Sequence, residues 1–349
     1  MSLPPVYGHT DLRARLSAAV GAGRLPQALL FDGPRGVGKQ RLALWLAQAI
    51  VCEDRGSDGP CGACRHCRLV LNLNHPDVHW LIPIEITKKG ADADKQVDLA
   101  QQALEEELES RRKQPLYQPP TGLASHGIAS VRLLARQLYL TPALARHKVF
   151  IIGDAERLVP QRANPEAANA MLKALEEPPA STTFLLTTSQ PDALLPTILS
   201  RVVRVRVARL NDSVVTEFVQ QQLQQASQRN VSQLVANAEG CIGRVLAAIT
   251  GSSESDDRAV DAFLAASRGP AADRYAAALG QPPFQARGGF TRVLDGLLER
   301  LRSEARSGKD TRPVVDAISR VLDARDLAQG NVNPQLVAAV LTDELWSRP

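Results

Sequence analysis

Apolar residues along this chain fall into two rhythms. Up to about Leu210, short continuous apolar runs alternate with longer segments of helical spacing. "ALLFDGP" (Ala28–Pro34) reads as a buried strand that feeds a glycine-rich turn. "KQRLALWLAQAIVC" (Lys39–Cys52) follows, with Leu42, Leu46, Ala49 and Ile50 on one helical face. "HPDVHWLIPIEI" (His75–Ile86) predicts a strand, Ala91–Lys113 a charged helix and "PLYQPPTG" (Pro115–Gly122) a loop. Ile128–Pro142 predicts a helix stopped by its proline, and Val149–Ile152 a strand apolar enough to be covered on both faces. Pro165–Glu177 predicts a helix that ends at Pro178–Pro179. Thr182–Ser189 and Val202–Leu210 predict two more strands, the last alternating Val with Arg. Strands alternating with helices predict an α/β domain around a parallel sheet.

Beyond Leu210 the strand signal stops. Asn211–Thr250 reads as a small helical unit, "GSSESDD" (Gly251–Asp257) as a polar linker, and Arg258 to the end as an Ala/Leu-rich helical bundle. A length of 349 residues fits two or three domains at roughly 100–200 residues each. Hydrophobic residues at 44% and charged residues at 22% are globular proportions. Aromatics at 4% argue against stacking of bases as the main device, and a net charge of +4 permits a nucleic-acid partner without demanding one. No apolar run of about 20 residues predicts a membrane span. The start, "MSLPPVYGHTDLR", lacks a signal core, so the expected place is the cytoplasm, where thiols stay reduced.

Two segments carry chemistry. "FDGPRGVGKQRLA" (Phe31–Ala43) places Gly33, Gly38 and Lys39 as a phosphate loop requires, between strand and helix. The last motif position, whose hydroxyl helps to hold magnesium, is Gln40. The loop is therefore read in two ways: an anion site at a helix N-terminus, or a structural turn with Lys39 solvated or paired to a carboxylate. Cys52, Cys61, Cys64 and Cys67 form C-x8-C-x2-C-x2-C in a polar, glycine-rich stretch. Four close thiols in a reduced compartment suit tetrahedral zinc, closed and so structural rather than catalytic. An iron–sulfur cluster and disulfides are the alternatives, and His66 and His75 are substitute ligands. Cys241, in an apolar helical context, reads as a small core residue.

Taken together, the near phosphate loop, the cysteine module behind its helix, "NAMLKALEEPP" (Asn169–Pro179), "ILSRVV" (Ile198–Val203) and "NVNPQL" (Asn331–Leu336) resemble the bacterial DNA polymerase III clamp-loader family, in its delta-prime branch. The resemblance implies an AAA+ α/β domain over 1–208 with a zinc module at 52–67 and an insertion at 85–121. It further implies a helical lid over 209–251 and a C-terminal all-α collar over 252–349. The implied function is to help load the sliding clamp onto primed DNA, beside gamma/tau and delta subunits in a hetero-pentamer. The implied cofactor is structural zinc, with no ATPase activity of the chain's own. Arg201, with Ser200, matches the family's S-R-C motif, in which arginine reaches a neighbouring subunit's ATP; Val202 replaces the Cys. The adjacent Arg204 and Arg206 read as a solvated strand face. The paralogous motor branch, gamma/tau, is the other reading. That branch has adjacent Asp-Glu after its central strand and a lid arginine in G-x-x-R. Here "KVFIIGDAERL" aligns either Gly153–Asp154 or Asp154–Ala155 with the acidic pair, and "GCIGRV" puts Gly243 at the lid position, with Arg244 one step on.

Overall fold

The computed structural model describes residues 3–86, 92–116, 124–158, 166–223, 228–249, 252–282, 289–306, 311–329 and 332–346. They form two compact units, one ending at Leu246 and one starting at Ala247. In the first, α1 (Thr10–Gly21) precedes β1 (Ala28–Asp32), α2 (Lys39–Val51), α3 (Arg65–Leu71) and β2 (Val78–Leu81). Then come α4 (Ala93–Lys113), α5 (Ile128–Leu138), β3 (Lys148–Ile152), α6 (Glu166–Glu176), β4 (Thr182–Thr188), α7 (Pro196–Leu199) and β5 (Val203–Arg206). Three helices close the unit: α8 (Asp212–Gln222), α9 (Gln228–Ala238) and α10 (Ile242–Ile249).

The five strands are parallel in the order β2-β3-β4-β1-β5, an AAA+-like sheet. Side chains on a strand alternate between faces, and both faces here are covered, so the central strands are apolar throughout. Leu29, Phe31, Val149, Ile151 and Leu185 join one core with Leu42 and Leu46 of α2. Leu30, Phe150, Ile152, Phe184 and Leu186 join the other with Leu134 of α5 and Met171 of α6. The first core continues into Val215 and Phe218 of α8 and Val245 of α10, so these helices share the sheet's apolar interior.

Two readings change in extent. The strand expected over Val202–Leu210 is ordered only as β5, at the sheet edge, where Val203 is 49% exposed because one flank has no neighbour. Arg204 on it donates to Asp32 at 2.6 Å and is an ion pair, not a freely solvated charge; Arg206 is exposed. The segment read as a linker is not one: Ser252–Asp257 belong to α11 (Ser252–Arg268), since a serine- and acid-rich sequence suits the first turns of a helix. Gly251 lies outside the described residues, as do most of the loop expected at Pro115–Gly122, the residues 87–91 of the expected insertion and Asn331 of "NVNPQL". Within that insertion, α4 buries Val97 and Ala100, and its Arg111 guanidinium lies 4.9 Å over the Trp80 ring.

The second unit holds α11, α12 (Ala271–Leu279), α13 (Thr291–Arg306), α14 (Thr311–Gln329) and α15 (Pro334–Glu344) around Phe290, Leu294, Leu297, Leu301 and Val321. Asn333 caps α15 by accepting from Gln335 N at 2.9 Å, with Pro334 at the first helical position. Among the described residues no helix is long and apolar enough to cross a membrane.

The sheet core predicts one outcome. Phe184 is fully buried in β4 and stacks on Phe150 at 5.5 Å. Phe184→Ala is expected to cost about 3–5 kcal/mol of stability, read as a lower denaturant midpoint by circular dichroism. A loss below about 1 kcal/mol would mean that the core re-closes around the gap.

Candidate nucleotide loop and metal centre

The turn after β1 is shaped by glycine. Gly36 and Gly38 take φ of 80° and 102°, and a Cβ on Gly33 would sit 2.3 Å from Val207 O. Lys39 opens α2 but does not point to solvent. Its Nζ donates to Gly33 O at 2.9 Å and Pro34 O at 2.8 Å, so the lysine is held by its own loop. It is 6% exposed, and burial lowers its pKa, opposed by the carboxylates of Glu156 and Asp154. His9 Nε2 donates to Val37 O at 3.0 Å, closing the loop from the N-terminal side.

Gln40 is also buried, and its side chain lies 3.1 Å from where a Cβ on Gly153 would be. Among the described residues Gln40 Oε1 has no hydrogen-bond partner. Behind Gly153, His126 donates from Nε2 to the Gly153 carbonyl at 2.6 Å, and burial pushes its pKa down to about 4. Across the loop, α10 arrives with Gly243 foremost. Gly243 N donates to Gly36 O at 2.9 Å, and a Cβ on Gly243 would lie 2.5 Å from Gly36 Cα. Arg244, one position on, pairs with Glu239 at 3.0 Å.

Glu156 is a carboxylate that motif alignment passed over. A 3-10 turn, Ala155–Leu158, follows β3 directly and turns this side chain inward. Its Oε1 accepts from Ser189 N at 3.3 Å and Ser189 Oγ at 2.9 Å, and burial followed by the charge of Asp154 raises its pKa. The sequence signal was the i+2 spacing from Asp154, which only the tight turn makes meaningful.

The four cysteines converge. All four sulfurs lie within 4.8 Å of one another, with Cys52–Cys64 and Cys61–Cys67 both at 3.9 Å. A tetrahedral metal with ligands at about 2.3 Å requires sulfur–sulfur edges of about 3.8 Å. A disulfide requires about 2.05 Å, and none of the cysteines is bridged. Backbone N–H groups of Cys61, Cys64 and Cys67 donate to the sulfurs of Cys52, Cys61 and Cys64 at 3.2–3.4 Å. Such donors favour the thiolate, and those to Cys61 hold its thiol down to about 7. The donor set therefore fits a structural metal. Gly59, at φ 128°, lets the module lie on Trp45, where a Cβ would come within 2.5 Å of the ring. His66 and His75 turn away from the sulfurs: they bond to each other at 2.8 Å, and His66 also bonds Glu53 at 3.1 Å. Cys241 is buried, as a core residue would be.

Arg201 follows α7 and is one-third exposed. It donates to Thr197 O at 2.8 Å and pairs with Glu176 at 2.6 Å, so "ILSRVV" and "NAMLKALEEPP" meet in space.

Comparison with known proteins agrees with this layout. A family model described as "DNA polymerase III, delta subunit" matches residues 8–211. DNA polymerase III subunit delta' of Bacillus subtilis is 36% identical over 51% of this chain and 41% of its own length. Subunit delta' of Pseudomonas aeruginosa is 33% identical over 53% of this chain and 44% of its own. Subunit gamma/tau of Mycobacterium tuberculosis is 30% identical over 57% of this chain and 27% of its own. The chain thus spans less than half the length of these relatives. With the family model covering more than half of its residues, the chain belongs to the DNA polymerase III delta-subunit family of clamp-loader proteins.

Proposed function

We propose that this chain is a delta-prime-type, non-motor subunit of a DNA polymerase III clamp loader. It works in the cytoplasm within a hetero-pentamer with gamma/tau and delta subunits, and helps to place the sliding clamp on primed DNA. The α8–α10 helices over 209–251 serve as its lid and the helices of 252–349 as its collar. One observation carries the reading: Gln40, Gly153 and Gly243 come together at the phosphate loop, Gly153 against the Gln40 side chain and Gly243 against Gly36. A hydrolytic site needs a hydroxyl on magnesium, a carboxylate pair on metal and water, and a cation on the γ-phosphate. Those three places hold an amide and two glycines. The loop's retained glycines and the likeness to gamma/tau favour a motor as the second reading. Turnover decides between the two.

Arg201 is the residue offered outward. A guanidinium placed on a neighbour's γ-phosphate neutralises charge that develops in transfer, worth about 10³–10⁵ in rate. Its ion pair with Glu176 holds the guanidinium at the surface, one-third exposed. The zinc reading gives the module a purely structural part, with Cys52, Cys61, Cys64 and Cys67 as thiolate ligands.

Three outcomes follow. The purified chain alone is expected to show no ATPase above background; steady turnover abolished by Lys39→Ala would establish the motor reading instead. Elemental analysis is expected to find one zinc per chain, lost with local loosening but an intact sheet in Cys64→Ser; iron, or no metal, would reject zinc. Arg201→Ala is expected to leave folding and assembly intact, since a partly exposed ion pair contributes about 0–1 kcal/mol. The variant should lower DNA- and clamp-stimulated hydrolysis by the reconstituted complex. Arg206→Ala, an exposed arginine on the neighbouring strand, is the control. Equal rates for wild type and both variants would reduce Arg201 to a surface residue, and failed assembly would make it an interface strut.

A further inference from the structure

The two histidines behind the cysteine module belong to a buried chain of hydrogen bonds. His66, His75 and Asp77 are all buried, Asp77 with only 1% exposure. Asp77 N donates to His75 Nδ1 at 3.0 Å, so that nitrogen is an acceptor and carries no proton. His75 must then hold its proton on Nε2, which lies 2.8 Å from His66 Nδ1. His66 Nδ1 is therefore an acceptor as well, and its own proton sits on Nε2, 3.1 Å from Glu53 Oε1. Each bond fixes the tautomer of the next ring. The chain has a single direction, from the backbone at Asp77 to the carboxylate next to Cys52.

At its far end the same Asp77 holds a turn. The carboxylate accepts from the N–H groups of Ala143, Leu144 and Ala145 at 2.6–2.7 Å, and the Asp77 carbonyl from Val149 N at 2.9 Å. These bonds pin the residues between α5 and β3 and set the entry to β3. Lys148 holds the other limb by separate bonds, one of them to Gln137 O at 2.6 Å. A carboxylate buried this deeply is costly once its donors leave, so the placing of Asp77 decides whether the turn is held. At the near end, α3 starts in the module itself. Cys64 is its N-cap, with Sγ accepting from Cys67 N at 3.4 Å, and His66 lies in its first turn. At seven residues, α3 is too short to persist without such anchoring.

We propose that the cysteine module is a remote strut for the turn between α5 and β3, acting through Glu53, His66, His75 and Asp77. The inference rests on the zinc reading above. With the four sulfurs drawn together on a metal, Cys52 holds Glu53 in place and Cys64 holds the first turn of α3. His66 Nδ1 then stands where His75 Nε2–H reaches it, and His75 in turn orients the Asp77 backbone. Once the sulfurs no longer need to converge, Glu53 is released, α3 frays and His75 loses its acceptor. Module and turn therefore share one equilibrium: metal binding stabilises the turn, and by reciprocity the turn strengthens metal binding. His75 is the positioning residue between them.

The test uses the full-length chain, loaded with zinc(II) or stripped of it with EDTA, and reads amide hydrogen exchange by mass spectrometry. In wild type, stripping is expected to speed exchange at Ala143–Ala145 about tenfold, a usual size for coupling between two sites. The amides of Phe184, Leu185 and Leu186 in β4 should stay protected. His75→Asn is the key variant, because its shorter side chain still accepts from Asp77 N, two residues on, but stops short of His66. It should load one zinc per chain, yet its turn should exchange at one rate with and without zinc. Asp77→Asn should release zinc to EDTA about tenfold more readily, with the β4 amides as the check on folding. Nitrogen-15 NMR of the loaded wild type should find the His75 proton on Nε2. A turn that exchanges equally in loaded and stripped wild type overturns the strut. So does a metal response that survives in His75→Asn or spreads equally over β4, and so does a His75 proton on Nδ1. Zinc content is measured separately: a wild-type chain that takes up no zinc rejects the zinc reading itself, whereas a loaded chain whose turn ignores the metal rejects the strut alone.

Discussion

A parallel sheet covered on both faces has no side on which to hide polarity. In β1, β3 and β4 that condition falls on consecutive residues: Leu29 and Phe31 face α2, while Leu30 faces α5 and α6. Polar function is thereby driven to the strand ends. The phosphate loop after β1, the Gly153–Asp154 turn after β3 and Ser189 after β4 all lie at the same C-terminal edge, because parallel strands end together. The loop glycines, Asp154 and Glu156 stand near Lys39 for that reason, and β5, at the sheet edge beside β1, lets Arg204 reach Asp32.

Charge at that edge is settled internally. Lys39 donates to two carbonyls of its own loop, and the partly buried Glu156 has its pKa raised by desolvation and by the charge of Asp154. The loop retains the form of an anion cradle, while its own backbone supplies the acceptors that bind the cation. At the cysteine module the polarity is opposite: backbone N–H groups donate to the sulfurs of Cys52, Cys61 and Cys64, and the pKa falls at Cys61 and Cys64 while burial raises it at Cys52 and Cys67.

Much of this was legible in the sequence. The continuous apolar run Val149–Ile152 and the glycine turn after Ala28–Asp32 announced strands buried on both faces. The spacing of Cys52, Cys61, Cys64 and Cys67 announced a common centre. Less legible was anything that depends on a tight turn or on partners distant in sequence. Glu156 needed the 3-10 turn to become part of the loop's surroundings. The Arg201–Glu176 pair joins residues 25 positions apart in sequence. The acid-rich run at Ser252–Asp257 resembles a linker by composition, and only its place ahead of an apolar-periodic segment makes it a helix start.

The touch between Gly36 and Gly243 is backbone on backbone. Any side chain at position 243 would place its Cβ 2.5 Å from Gly36 Cα, so α10 would have to withdraw from the loop to admit one. Withdrawal would also break the hydrogen bond from Gly243 N to Gly36 O. The two glycines therefore act as a clasp: the loop after β1 and the helix that crosses it can shift only together.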